Sequence, residues 1–319
     1  MMDLGIRDAL VVRPSGVELL SIGIEEGRIV EVAPELSRTV RESIDARGLH
    51  LFPGVIDAHV HFNEPGREAW EGVASGSAAF AAGGGSCFID MPLNSSPPTL
   101  NAQSFRAKLA VCEAKAHTDF ALWGGLTPDN LDRLEELAEC GVVGFKAFMS
   151  GSGIEDFHAC DDLSLYRGME IAGRLGLPVA VHAESEAITS ALSDAARSAG
   201  RRSVRDYLAS RPVLAELEAI SRILLYAEET GCVVHVVHTS SSRGVELVRR
   251  AVAAGRCDAS CETCPHYLFF TEEDVATLGA AACWVRVSGE PTDQQYRRIG
   301  VPTAQRFDSA GLTAMLVQA

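Results

Sequence analysis

From Leu51 onward the chain repeats one rhythm, in which short apolar runs alternate with longer stretches of helical spacing. The runs are LFPGVIDAHVHF (51–62), SCFIDMP (86–92), DFALWGG (119–125), VVGFKAFM (142–149), PVAVHAE (178–184), CVVHVVHTS (232–240) and DASCETC (258–264). Helical patterns fill the intervals, from Trp70 to Ala82 and then over about 101–116, 129–140, 162–175, 186–229 and 243–254. Strands that are apolar throughout need cover on both faces, which a parallel sheet with helical crossovers supplies. An open doubly wound sheet and a closed (β/α)8 barrel both satisfy that pattern. The polar residues decide between them. His59 and His61 close the first run, Asn94 follows the second, and Lys146 closes the fourth. His182 closes the fifth, His238 the sixth, and His266 follows the seventh. Side chains from so many strand ends meet only when the strands form a ring with one shared rim. The expected fold is therefore α/β, a TIM-like (β/α)8 barrel over 53–282.

Residues 1–52 follow a different pattern. ALVVRPSGVELLSIGIEEGRIVEV is a series of short β-branched runs punctuated by Pro14-Ser15-Gly16 and Glu26-Gly27, which predicts hairpins. The segment is too short to bury a two-layer core alone and is expected to pack against something else. A length of 319 residues fits about two domains, or one large barrel with an appendage.

Composition narrows the partners. With 47% hydrophobic and 22% charged residues the chain is suited to a packed core and not to disorder. Its net charge of −15 opposes binding to phosphate backbones and anionic lipid, so no nucleic-acid or membrane partner is expected. No apolar run approaches 18 residues, and Met1-Met2-Asp3 does not open a signal peptide. Nine irregularly spaced cysteines suit reduced thiols, and the expected location is the cytoplasm. The sequon Asn94-Ser95-Ser96 is then a chance match.

The sharpest local feature is His59-Val60-His61. Residues i and i+2 of a strand share a face, so both imidazoles can address one metal ion. An isolated pair of this kind is more often two polar residues on a wet strand face. Here two further strand-end histidines, His182 and His238, shift the balance towards a metal site. Lys146 is the other anomaly, because a lysine in an apolar strand is driven by desolvation towards its neutral amine. A neutral amine can take up carbon dioxide to form a carbamate, an anionic ligand able to bridge two cations. The plainer alternative is a lysine snorkelling out of the barrel end.

Other motifs carry less. Cys261-Glu262-Thr263-Cys264 has redox spacing but no second pair to complete a zinc site and no thioredoxin-like context. Gly83-Gly84-Gly85 precedes a strand, whereas phosphate loops follow one, so it reads as a tight helix-to-strand connection. There is no GxSxG elbow.

The blocks PGVIDAHVHFNEPGREAWEG, FIDMPLNSSPPT, GVVGFKAFMS, PVAVHAES, DYLASRPVLAELEAI, VVHTSS and CETCPHYL together resemble the allantoinase group of cyclic amidohydrolases, within the amidohydrolase superfamily. The resemblance runs from the N-terminus to about Leu278; dihydroorotases and dihydropyrimidinases are the near relatives. Dihydroorotases typically carry an arginine two residues after the second histidine, where this chain has Asn63. The resemblance implies a barrel flanked by a small β-sandwich, to which residues 1–52 contribute. It implies two divalent ions, zinc first and manganese, cobalt or iron as alternatives. One ion would be held by His59 and His61, the other by His182 and His238, with N6-carboxylated Lys146 bridging them. A shared hydroxide would attack the hydantoin carbonyl of the small-molecule substrate allantoin and give allantoate, in purine breakdown. Asn94 is the candidate for orienting substrate, and Asn63 to Arg67 for shaping the mouth of the site. Assembly into a homo-oligomer is the family expectation.

The resemblance stops after about Ala282. The family continues with segments like KCAPPLR and SDHSP, the second carrying an aspartate that is metal ligand and general base. Neither occurs here; the last 37 residues contain Asp293 and Asp308, but in no apolar strand run, so no catalytic aspartate is assigned. The expectation is a chain cut short near Ala282 with a non-family tail over 283–319. Strands one and seven would have unpaired edges, with poor folding and little hydrolysis. Two rivals accompany the leading reading: a hydrolase of another cyclic amide such as a hydantoin, dihydropyrimidine or dihydroorotate, and a silent barrel serving as a binding or assembly partner.

Overall fold

A computed structural model describes residues 1–278, in two compact units: Met1–Val55, and a second beginning at Ile56. The first unit is a five-stranded sheet of β1 (Met2–Arg13), β2 (Gly16–Glu25), β3 (Arg28–Ala33), β4 (Val40–Asp45) and β5 (His50–Leu51). Its order is β3-β2-β1-β4, with β5 also on β1; β1–β2 and β2–β3 are antiparallel, while β4 and β5 run parallel to β1. Both hairpins fall at the expected turns. Glu26 and Gly27 both have positive φ (50° and 71°), the backbone of a tight two-residue hairpin. The Asp3 carboxylate accepts the Glu26 N–H at 2.7 Å and steadies that turn. Ala9, Val11, Leu20, Ile22 and Ala46 form this unit's core.

The second unit alternates parallel strands with helices. After β6 (Val55–Val60) come α1 (Val73–Ala82), β7 (Gly85–Asp90) and α2 (Ala102–Lys115). Then follow β8 (Asp119–Leu122), β9 (Gly124–Gly125), a 3-10 turn at Leu131–Arg133, α3 (Leu134–Cys140) and β10 (Phe145–Phe148). Beyond it lie α4 (Asp162–Leu175), β11 (Val179–His182), α5 (Glu186–Ser198), α6 (Val204–Ala209) and α7 (Val213–Thr230). β12 (Val234–Val236), α8 (Ser242–Ala253), β13 (Ala259–Cys261), α9 (Pro265–Phe269) and α10 (Glu272–Leu278) complete the described chain. Helix ends follow local chemistry. Asp161 caps α4 by accepting the Ser164 N–H at 2.7 Å, and Gly176 ends it in the left-handed region.

The strands form two sheets, β6-β7-β8 and β13-β12-β11-β10-β9. The run 119–125 joins them. Trp123 N donates to Asp90 O at 3.0 Å on one side, and Leu122 O accepts Val143 N at 3.0 Å on the other. The run breaks into β8 and β9 at Trp123, and two residues on, the backbone is crowded. A Cβ on Gly125 would stand 2.4 Å from Leu100 Cδ2 and 2.7 Å from Phe157. Seven strand runs therefore follow one another, as the sequence rhythm predicts. Among the described residues β6 and β13 stand at the two ends of the series, each hydrogen-bonded to a single neighbour.

Strand alternation separates two faces. Phe145, Ala147, Val179, Val181, Val234 and Val236 join the large core cluster with α2, α3, α4, α7 and α8 residues. On the opposite face the register sets Lys146 beside Ala180, Ala180 beside His235, and His235 beside Ser260. Phe148 pairs with His182 on that same face, one step nearer the strand C-termini. The polar residues therefore occupy the inner side of the strand series. No helix among the described residues is long and apolar enough to cross a membrane.

Candidate functional site

At the strand C-termini four imidazoles lie in a row. Ring centroids are 5.2 Å apart for His61 and His59, 5.4 Å for His59 and His238, and 5.0 Å for His238 and His182. His59 belongs to β6, and His61 is one residue beyond it, so the pair straddles the strand end. Their Nε2 atoms approach to 3.2 Å. The outer nitrogens are engaged elsewhere: His61 Nδ1 lies 2.7 Å from Leu93 O, and His59 Nδ1 meets the Glu262 carboxylate. A donor proton on Nδ1 leaves the Nε2 lone pair free for a metal, so both partners select the ligating tautomer.

His182 is the last residue of β11, fully buried, with Phe148 stacked on it at 4.9 Å and 21°. His238 stands two residues past β12, not on it, with φ of 41°. That conformation is uncommon for a non-glycine residue and turns the ring back towards the others. His182 Nδ1 and His238 Nε2 are 3.4 Å apart. Lys146 lies within β10, fully buried, its Nζ 5.1 Å from the Phe148 ring.

Burial sets the protonation. Desolvation pushes the His59 pKa down, against the pull of Glu262 upward, and Lys146 adds to the depression. His61 is held well below the usual histidine range by desolvation first and the neighbouring His59 second. Neutral imidazoles are the metal-binding form. Among the described residues no three His, Cys, Asp or Glu side chains converge as a closed metal triad. The donors instead come in two imidazole pairs, and each pair needs a further ligand to hold a divalent ion. Lys146 lies buried on the same face, and the set fits a metal pair if the lysine supplies an anionic ligand between the two imidazole pairs.

The loops after β6 and β7, which carry Asn63–Arg67 and Asn94, are joined to each other. Asn94 Nδ2 donates to Asn63 Oδ1 at 3.0 Å, and Arg67 Nη1 donates to Asn94 O at 2.6 Å. Gly66 has φ of 91°, and a Cβ there would meet Ser96 O at 2.2 Å, which brings the two loops together. Glu64 is buried, accepting the Val73 N–H at 3.0 Å and pairing with Lys115. Below them lies a buried ion pair, Asp90 with Lys108 of α2 at 2.9 Å. Asp90 also accepts the Phe62 N–H at 3.2 Å, immediately after His61. His266 falls in α9, its ring 4.5 Å from Tyr267.

Glu262 and the Asp90–Lys108 pair were not singled out from the sequence. Glu262 was hidden between two cysteines. Cys261 and Cys264 are free thiols, and burial pushes Cys261 up to about 11, which disfavours the reactive thiolate there. The signal available was position, since a carboxylate one residue after a barrel strand faces the rim.

A parallel, helix-covered strand series that gathers imidazoles at its C-terminal ends has the build of a TIM-barrel-type metal-dependent hydrolase. The sequence matches the profile of the amidohydrolase family over residues 50–267, and the chain belongs to that family. A protein named allantoinase from Rubrobacter xylanophilus is 58% identical over 280 residues, covering 88% of this chain and 61% of that protein. One of the same name from Solibacter usitatus is 57% identical over 282 residues, again 88% of this chain and 61% of that one. Among solved structures, an L-hydantoinase (dihydropyrimidinase) from Arthrobacter aurescens matches with a TM-score of 0.83 at 34% identity. It covers 88% of this chain and 62% of the hydantoinase. The chain thus spans about three fifths of the length of these relatives.

Proposed function

We propose that this chain carries the barrel of an allantoinase-type enzyme, which opens the hydantoin ring of allantoin by hydrolysing its cyclic amide to give allantoate. The observation that carries the reading is the row of four inward imidazoles beside Lys146, in a chain 58% identical to a protein named allantoinase. Amidohydrolases generally depend on a pair of metal ions. In this reading His59 and His61 would hold one ion and His182 and His238 the other, with N6-carboxylated Lys146 as the shared anionic ligand and zinc the first choice. The metals would supply a water of lowered pKa and a Lewis acid for the carbonyl oxygen.

The chain's own residues do the rest. Leu93 O holds His61 with Nε2 turned inward, and Phe148 fixes the plane of His182. Burial of Lys146 favours the neutral amine that carbamate formation requires. Asn94, tied to Asn63 and Arg67, would orient the polar ring of the substrate. Asn63 stands where a dihydroorotase would present a carboxylate-binding arginine, which disfavours that substrate. Asp293 and Asp308, not assigned a catalytic role, and the tail over 283–319 lie outside the described residues. Residues 1–52 would form one part of a small β-sandwich, and 53–282 the barrel.

The test is allantoin hydrolysis by the purified chain expressed with bicarbonate and zinc, manganese or cobalt. Ring opening that disappears in His59→Ala supports the reading. A metal-loaded, folded chain with no turnover on allantoin would sink it for this chain. A second reading, a hydantoinase, draws on the structural likeness at TM-score 0.83. Faster turnover of hydantoin or dihydrouracil than of allantoin would favour it.

A further inference from the structure

One carboxylate touches both histidine pairs, and the proposed reaction does not use it. Glu262 follows directly on β13, its side chain about three quarters buried (26% exposed). Its Oε1 meets His59 Nδ1 and accepts the His238 N–H at 3.3 Å. Its Oε2 lies 3.3 Å from His235 Nε2, and His235 Nδ1 lies 2.8 Å from Ser260 Oγ. The Glu262 backbone is fixed as well, its N–H donating to Val236 O at 3.1 Å and its carbonyl accepting Thr239 N at 2.6 Å.

We propose that Glu262 is the positioning residue of the site, setting the His59 tautomer and holding His238 in its strained backbone conformation. The inference deepens the metal-dependent reading above and rests on it for its purpose. An acceptor at Nδ1 of His59 requires the proton there and leaves Nε2, 3.2 Å from His61 Nε2, as the ligating atom. Glu262 is not itself placed as a ligand beside that atom, because it occupies the opposite edge of the ring. The same oxygen restrains the N–H of His238, whose φ of 41° persists only where surrounding contacts over-determine it. The His235–Ser260 contact orients the imidazole that stands 3.3 Å from Oε2, so each oxygen of Glu262 faces a histidine. Through it β13 is tied to β6, the two strands that end the series.

The experiment uses the full chain without metal and then with zinc. Correlated proton–nitrogen spectra of the imidazoles should show His59 as the Nδ1–H tautomer in the native chain. Glu262→Gln, which keeps an acceptor oxygen, should retain that tautomer, and Glu262→Ala should convert it to a mixture. Chelator competition should then show zinc bound roughly 10- to 100-fold more weakly by Glu262→Ala and only several-fold more weakly by Glu262→Gln. If Glu262→Ala does not fold, the paired result for Glu262→Gln, tautomer kept and affinity reduced, carries the test. A native His59 in the Nε2–H form, or variants that alter neither tautomer nor affinity, would overturn the proposal. If the native chain binds no zinc but the tautomer switch occurs, the metal reading falls while the positioning role stands.

Discussion

The two histidine pairs are assembled in different ways. His59 and His61 are two residues apart on one strand end, and their outer nitrogens are held by Leu93 O and Glu262. His182 and His238 are 56 residues apart, come from neighbouring strand runs, and are held by packing on Phe148 and by an uncommon backbone conformation. The first pair is a property of local spacing with polar supports. The second is a property of strand order and apolar packing. Lys146 is the group both would share.

The largest expected effect removes what the pairs have in common. Lys146→Ala should empty both proposed ion sites, whereas His182→Ala should empty one; elemental analysis of metal per chain distinguishes them. Both losses should exceed the roughly 10- to 100-fold weakening typical of an outer supporting residue. Equal metal content in the two variants would mean that the pairs do not share the lysine.

Next come the supports. Under the first pair, Lys108→Met leaves Asp90 buried without its partner and should destabilise by about 3–5 kcal/mol. The double variant with Asp90→Asn should recover much of that loss in denaturant titrations. Under the second pair, Phe148→Ala should cost about 3–5 kcal/mol through the cavity it leaves. The two single variants are similar in size, but only the first should be rescued by a second substitution.

A smaller effect is the pH dependence of the metal-free chain. Desolvation depresses the pKa of His59, His61 and His266 below the ordinary value of 6.5. The unfolded chain therefore binds more protons than the folded one below that value, so stability should fall as pH drops through 6.5 and hold above it. A flat profile from pH 7 to 5 would show these imidazoles to be solvated. The smallest effect belongs to neither pair. Arg205→Ala removes an exposed ion pair with Glu273 and should change stability by less than about 1 kcal/mol.

Much of this arrangement was legible in the chain. The run 162–175 is a helix with the predicted bounds, because Asp161 is a strong local start signal and Gly176 a strong stop signal. The strand at 178–184 narrowed only to Val179–His182. Legibility failed where long-range contacts set the outcome. The run 119–125 is split in two at Trp123, and just beyond the break Gly125 is pressed against Leu100 and Phe157, residues remote from it in sequence. His238 reads as a strand end, yet it lies beyond β12 in a left-handed turn held in part by Glu262.

Local chemistry alone was sufficient for the α/β rhythm, the hairpins of the first unit and the shared face of His59 and His61. Those features depend on period, turn residues and neighbours a few positions away. Which histidine meets which, and that Glu262 joins them, was left to tertiary structure. Strand order brings Glu262 within hydrogen-bonding distance of a histidine 203 residues earlier, and no pattern in the intervening chain encodes that approach.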